Sequence, residues 1–247
     1  YTDALAWVID GASPLSTRRV AESADTDAEW IAKVLDEALS GMHAADTPPV
    51  EALRTSIAAV EERSEEWTSV PEIPPSAAVG VIRAVGPDAI EYAILADVTL
   101  AVKTADDIVV ITDSRADDGN QEAMGRLAEL LTEGADFHES MREVRPLLLK
   151  RRITGMNKPG GYWVAATDPS AADEALAGTI TGVESIILAS DGFARGVDLY
   201  GLWPSWQAIL EDESESLLSR YYDLREFETT DPDCRQFPRW SREDDAT

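Results

Sequence analysis

Four acidic side chains stand where packing alone would choose something else. Asp10 closes the run AWVID before Gly11, Asp191 closes SIILASD before Gly192, Asp97 interrupts EYAILADVTL, and Asp244 lies in the terminal REDDAT. A carboxylate at the end of an apolar run is costly to bury unless a cation meets it. Carboxylates from four separated segments form an all-oxygen donor set, the kind that hard divalent ions such as Mg²⁺ and Mn²⁺ take. A water held between two such ions loses a proton readily, and the resulting hydroxide attacks phosphorus in line. A glycine after each strand-ending Asp lets the backbone turn sharply and brings a carbonyl toward an ion. Taken singly, an Asp-Gly pair is an ordinary turn signal. Two such pairs, each after an apolar strand, point to a shared site.

Other chemistries fail on spacing. A haloacid-dehalogenase type of phosphatase needs an Asp two residues before the Asp of its Asp-Gly, and Val8 is there instead. Tyrosine-phosphatase chemistry needs an arginine at the sixth residue after its cysteine; after Cys234 that residue is Trp240, so Arg239 is out of register. No P-loop, dinucleotide fingerprint, H-E-x-x-H or C-x-x-C occurs. The two histidines, His43 and His138, fall in helical patterns and read as surface or core residues. Ser13 lacks both a nucleophile elbow and a motif-linked base.

The elements that must position these acids can be read from periodicity. Leu5 to Asp10 is a buried-strand pattern, and Trp30, Ile31, Val34, Leu35, Ala38, Leu39 and Met42 recur at helical spacing from Asp27 to Met42, after a cap at Asp25 or Thr26. A second helix is expected from Val50 to Trp67, packed antiparallel on the first. Ala77 to Val85, Ile90 to Leu95, Val98 to Val102 and Ile108 to Ile111 are short β-favouring runs that read as hairpins of an antiparallel meander. Helical patterns follow after Asn120, with Met124, Leu127, Leu130 and Leu131, and near Met141 to Leu149. Tyr162 to Ala165 reads as extended, Ser185 to Ala189 as a strand, and Pro204 to Leu210 and Ser214 to Phe227 as closing helices. NKPGGYW, Asn157 to Trp163, reads as a loop near the active edge, with Trp163 available to pack on a partner. This order of elements predicts a layered α+β architecture.

Composition sets the outer bounds. The chain has 247 residues, 44% of them hydrophobic, and no linker divides it, so one domain is expected. With 21 basic against 47 acidic residues the formal charge is -26, which repels nucleic acid and anionic membrane surfaces. Glu61, Glu62, Glu65, Glu66 and the run from Glu211 to Glu215 read as solvated faces. Apolar runs fall short of a membrane span, and the lone Cys234 suits a reducing compartment, so a cytoplasmic location is expected.

VIDGAS, AILADVTL, IILASDGF and DDAT, in that order, resemble the metal-dependent serine/threonine phosphatases of the protein phosphatase 2C type, particularly divergent bacterial members. The resemblance covers nearly the whole chain and is carried by the order and spacing of the motifs. It implies a four-layer αββα sandwich, two antiparallel sheets between helical layers, with two Mn²⁺ or Mg²⁺ ions at one edge and a phosphoprotein as substrate. Carried across residue by residue, Asp10 bridges both metals and Gly11 offers its carbonyl to one. Asp191 and Asp244 complete the ligands of one ion, and Asp97 helps to hold a weaker third. Asp245 stands where the family usually has Asn, and Ala12 where many members have the histidine thought to protonate the leaving group. Asp3 is too close to Asp10 to match the acidic ligand that the family supplies from an earlier strand, so the expected domain, residues 1–247, is trimmed at both ends. The alternative implied by these departures is a pseudophosphatase, the same sandwich serving as a regulatory or protein-binding module.

Overall fold

The computed structural model describes residues 5–13, 19–20, 22–42, 47–212 and 216–244. Asp3, His43, Ser214 and Asp245 lie outside them. Strands β1 (Leu5–Gly11), β2 (Ala77–Ala84), β3 (Ala89–Leu95) and β6 (Leu176–Thr181) form one antiparallel sheet in the order β1-β2-β3-β6. Strands β4 (Thr99–Thr104), β5 (Ile108–Ile111) and β7 (Val183–Ala189) form a second, in the order β5-β4-β7.

Because successive side chains on a strand point to opposite faces, each sheet feeds two cores. Val79, Val81, Ala93 and Leu95 pack with α1 (Asp27–Ser40) and α2 (Pro49–Arg63). Ala78, Ile90 and Ile94 meet Leu100 and Val102 between the sheets. On the far side, Ala101, Ile187 and Ala189 pack with α6 (Asp191–Asp198), α7 (Trp206–Glu211) and α8 (Leu217–Glu228) through Phe193, Trp206 and Leu224. The layers therefore run helix, sheet, sheet, helix, the expected αββα order.

Local chemistry explains the helices. Thr26 accepts the Glu29 N–H at the start of α1, and Asp27 and Glu29 complement the positive end of the helix dipole. Its buried stripe is Trp30, Ile31, Val34, Leu35 and Leu39. Pro49 opens α2, where its missing N–H costs nothing. Trp30 near the start of α1 meets Trp67, just past the end of α2, with ring centroids 5.6 Å apart, so the two helices run antiparallel as expected. After the short helix α3 (Arg115–Asp118), helices α4 (Gln121–Thr132) and α5 (Phe137–Gly155) carry a smaller core of Leu127, Leu131 and Val144 with the buried Cys234. Among the described residues no helix is long and apolar enough to cross a membrane.

The structure corrects the expected meander. Strands β2 and β3 pair, and β4 and β5 pair, but β3 and β4 belong to different sheets. The chain crosses between them through Ala96, Asp97 and Val98, with Ala96 in the left-handed region at φ 66°. An alanine there is strained, and such strain persists only where its surroundings enforce it. Asp97 thus sits at a sheet crossing rather than inside a strand. Strand β6 and helix α6 were not expected from the sequence. The stretch from Tyr162 to Ala165 contributes only the bridges Met156 to Tyr162 and Ala77 to Ala165. Trp163 packs half-buried on the core under α1 and α2 rather than standing free for a partner.

Candidate metal-binding site

Strand register brings the acids to one end of the sandwich. Asp10 pairs with Ala78 near the end of β1, and Leu95 pairs with Val79 one strand over, with Asp97 two residues further on. In the second sheet Thr99 pairs with Ala189. Asp97, two residues before Thr99, and Asp191, two residues after Ala189, therefore leave that sheet at the same end. Asp244 reaches the spot from the C-terminal segment. All four, with Gly11 and with Asp117 of α3, line one cavity of about 230 Å³.

Neither glycine makes the sharp turn that the sequence pattern implied. Gly192 lies in the first turn of α6. Gly11 ends β1, where a Cβ would come within 2.7 Å of the Ala28 carbonyl oxygen of α1. Close helix packing is what requires glycine at position 11.

The carboxylates disturb one another strongly. Burial pushes the Asp10 carboxyl up to about 9, reinforced by the charge of Asp191, with which it shares a hydrogen bond, and then by Asp244 and Asp97. Burial likewise raises Asp97 to about 7, with Asp191 and Asp117 adding to it. Asp191 is raised by burial and by Asp244, against the opposing pull of Arg195. Asp117 is raised by burial, Asp191 and Asp118. Like charges held together with little water behave in this way.

One cation answers part of that charge. Arg195, one turn after Asp191 on α6, is buried; it ion-pairs with Asp244 and lies 3.8 Å from Asp191. The Ser241 hydroxyl donates to the same Asp244 oxygen at 3.0 Å, and the Arg225 guanidinium donates to the Asp244 carbonyl. Among the described residues, no three acidic, histidine or cysteine side chains already converge on a point where they could hold a metal ion. The donor set still fits a hard cation in type and charge. It is all oxygen, and it is poor enough in positive charge that Asp10 and Asp97 are driven toward protonation.

Sequence reasoning missed Asp117, Arg152, Tyr162 and Arg195. Asp117 sits in RADDG, which reads as a solvated turn; Arg152 lies past the helical pattern near Met141 to Leu149; Arg195 lies on α6, which no sequence pattern marked; Tyr162 is one aromatic in a glycine loop. The remaining nucleophile and base candidates stay out of the chemistry. His138 is exposed on α5, the thiol of Cys234 is buried and pushed up by that burial, and Ser13 contributes only its carbonyl, which accepts from Arg152 at 2.9 Å.

Neither a protein-family model nor a curated protein sequence matches the chain. Solved structures do. PppA, a key regulatory component of the T6SS in Pseudomonas aeruginosa, superposes with a TM-score of 0.52 at 14% identity, over 98% of this chain and 83% of that one. The catalytic domain of the serine/threonine phosphatase PstP in complex with 2 manganese ions matches with a TM-score of 0.44 at 13% identity, over 90% of each chain. Stp1, a serine/threonine phosphatase from Staphylococcus aureus, matches with a TM-score of 0.47 at 12% identity, over 90% of this chain and 76% of that one. The fold of two antiparallel sheets between helical layers is shared with PppA over nearly the whole chain.

Proposed function

We propose that the chain, as one phosphatase-like domain over residues 1–247, is a cytoplasmic metal-dependent phosphomonoesterase that removes phosphate from phosphoserine or phosphothreonine in proteins. The observation that carries this reading is the gathering of Asp10, Asp97 and Asp191, from three separate strand ends, around one cavity of a phosphatase-type sandwich. In this reading Asp10, with the Gly11 carbonyl, Asp191 and Asp244 hold two Mn²⁺ or Mg²⁺ ions, and Asp97 helps to hold a third. Bound metal would supply a water of lowered pKa as nucleophile. The chain's own part is to concentrate negative charge and keep the dielectric low. Met141, Leu148, Val164 and Trp240 line the same cavity, which strengthens the attraction between the carboxylates and a cation. Arg195 and Ser241 orient Asp244.

Two observations favour a second reading, a pseudophosphatase that uses the same sandwich to bind or regulate another protein. Ala12 offers no proton to a leaving group, and Arg195 already occupies Asp244. Titration with millimolar Mn²⁺, following melting temperature and hydrolysis of p-nitrophenyl phosphate, separates the two. The phosphatase reading expects both a rise in melting temperature and metal-dependent hydrolysis. Absence of both removes it, and a rise without hydrolysis favours the second reading.

A further inference from the structure

The acid-lined cavity has a second, differently built side. Among its lining residues Arg152 of α5 is the sole cation, set against Asp10, Asp97, Asp117, Asp191 and Asp244. Among the described residues its guanidinium makes no ion pair, and its one hydrogen bond goes to the Ser13 carbonyl, which leaves further N–H donors available. Beside it stands Tyr162, only 8% exposed yet lining the cavity, whose hydroxyl has no hydrogen-bond partner among the described residues. The hydroxyl is not sealed from solvent, so it is a donor open to a ligand of the cavity.

The loop after α5 is built to put Tyr162 there. Gly161 packs so closely on the end of α5 that a Cβ would lie 1.9 Å from the Gly155 carbonyl oxygen. The Tyr162 N–H donates to that carbonyl at 3.0 Å, and the Asn157 N–H donates to the Tyr162 carbonyl at 2.8 Å. The Asn157 side chain closes the loop on Val164, donating to its carbonyl at 3.1 Å and accepting its N–H at 2.8 Å. The Arg151 guanidinium lies 5.0 Å from the Tyr162 ring centroid and fixes the ring from one face. The result is a phenol and a guanidinium presented to one cavity from a short, internally bonded segment.

We propose that Arg152 and Tyr162 form the phosphoryl-oxygen end of the cavity, where they bind the dianionic group of a phosphate monoester opposite the carboxylates. The proposal rests on the hydrolase reading for its ligand class. A dianion entering a cavity lined by five carboxylates needs donors and countercharge, and a guanidinium offers planar paired donors suited to phosphoryl oxygens. The Tyr162 hydroxyl stays protonated, since burial raises it more than Arg152 and Arg151 lower it, so it serves as a neutral donor.

The test is calorimetric titration of inorganic phosphate, and separately of a short phosphothreonine peptide, into the chain with Mn²⁺ and into the chain in EDTA. Arg152→Met should weaken phosphate binding about tenfold or more and Tyr162→Phe a few-fold, on the scale of hydrogen bonds to a charged group. Arg152→Lys, which keeps the charge but loses the paired donors, should fall between Arg152→Met and the parent and guards against a folding defect. All three variants should bind Mn²⁺ as the parent does. Loss seen with the peptide supports the proposal for phosphoproteins, and loss seen with free phosphate alone supports it for small ligands. Phosphate affinity within about twofold of the parent in Arg152→Met, with Mn²⁺ binding intact, overturns the proposal and leaves the hydrolase reading standing. Parallel loss of Mn²⁺ affinity overturns it too, because Arg152 would then be supporting the carboxylates. Should the parent bind no Mn²⁺, the hydrolase reading fails, and Arg152-dependent phosphate binding in EDTA decides this proposal on its own.

Discussion

Asp231 and Asp10 are both acids withdrawn from water, yet their surroundings drive their carboxyls in opposite directions. Asp231 accepts the N–H groups of Arg235, Gln236 and Phe237 at 2.9, 3.1 and 3.0 Å, and the Arg239 guanidinium at 2.9 Å. Burial alone would raise it, but these donors outweigh burial and hold it below the usual carboxylate range. Asp10 has other acids for neighbours and is pushed up to about 9. The chain itself supplies everything Asp231 needs, so that acid is structural. Among the described residues no basic side chain pairs with Asp10, whose crowding costs stability unless positive charge is brought to it. Strong perturbation in a cleft, with no internal compensation, is how a functional acid differs from a structural one.

The largest expected effect comes from breaking the satisfied acid. Asp231→Ala strands Arg239, itself 2% exposed, and should lower stability by about 3–5 kcal/mol, equally in EDTA and in Mn²⁺. Urea denaturation measures this, and a loss below about 1 kcal/mol would dissolve the contrast. The crowded acid should behave in the opposite way. Asp10→Asn should reduce phosphatase activity about a hundredfold and leave the stability of the metal-free chain unchanged or higher, because folding no longer has to protonate a carboxyl at this position.

The same variant carries a pH signature. A carboxyl whose folded pKa lies above its unfolded value takes up protons on folding, so its contribution is present below the unfolded pKa and is lost as pH rises through the folded one. For Asp10 that window runs from 3.8 to about 9, and for Asp97 from 3.8 to about 7. In EDTA the parent should therefore lose stability between about pH 5 and about pH 8. The drop should be about 2–4 kcal/mol, roughly 4–16 °C in melting temperature, and Asp10→Asn should reduce it. A metal-free parent that gains stability across this window would mean that the cluster is neutralised from within the chain, as Asp231 is.

Much of this contrast is legible in the sequence where local pattern decides it. Asp10 and Asp191 stand out because an apolar strand that ends in an acid is anomalous at short range, and the layered fold follows from helical and β periods in order. Asp97 was also singled out, but for the wrong reason: a crossing between sheets and a hairpin turn look alike when both are a short break between two β-favouring runs. Strand β6 escaped because nearly all of Leu176–Thr181 is exposed, so no buried alternation marks it. In the sequence Asp244 is marked only by its acidic terminal run and by the family resemblance, since its partners Arg195 and Arg225 are distant in sequence. Arg152 and Tyr162 become visible only when the loop after α5 folds back over its own end, a tertiary event without a local signature.

The central claim, that Asp10 and Asp191 serve one cation-binding centre, is tested most directly by the melting-temperature difference between EDTA and Mn²⁺. It would be measured for the parent, Asp10→Asn, Asp191→Asn and the double variant. Groups that act as one unit are strongly non-additive. Each single substitution should therefore abolish most of the Mn²⁺-induced rise, and the double should lose little more. Losses that add, and that persist unchanged in EDTA, would make the two acids independent structural residues and contradict the account.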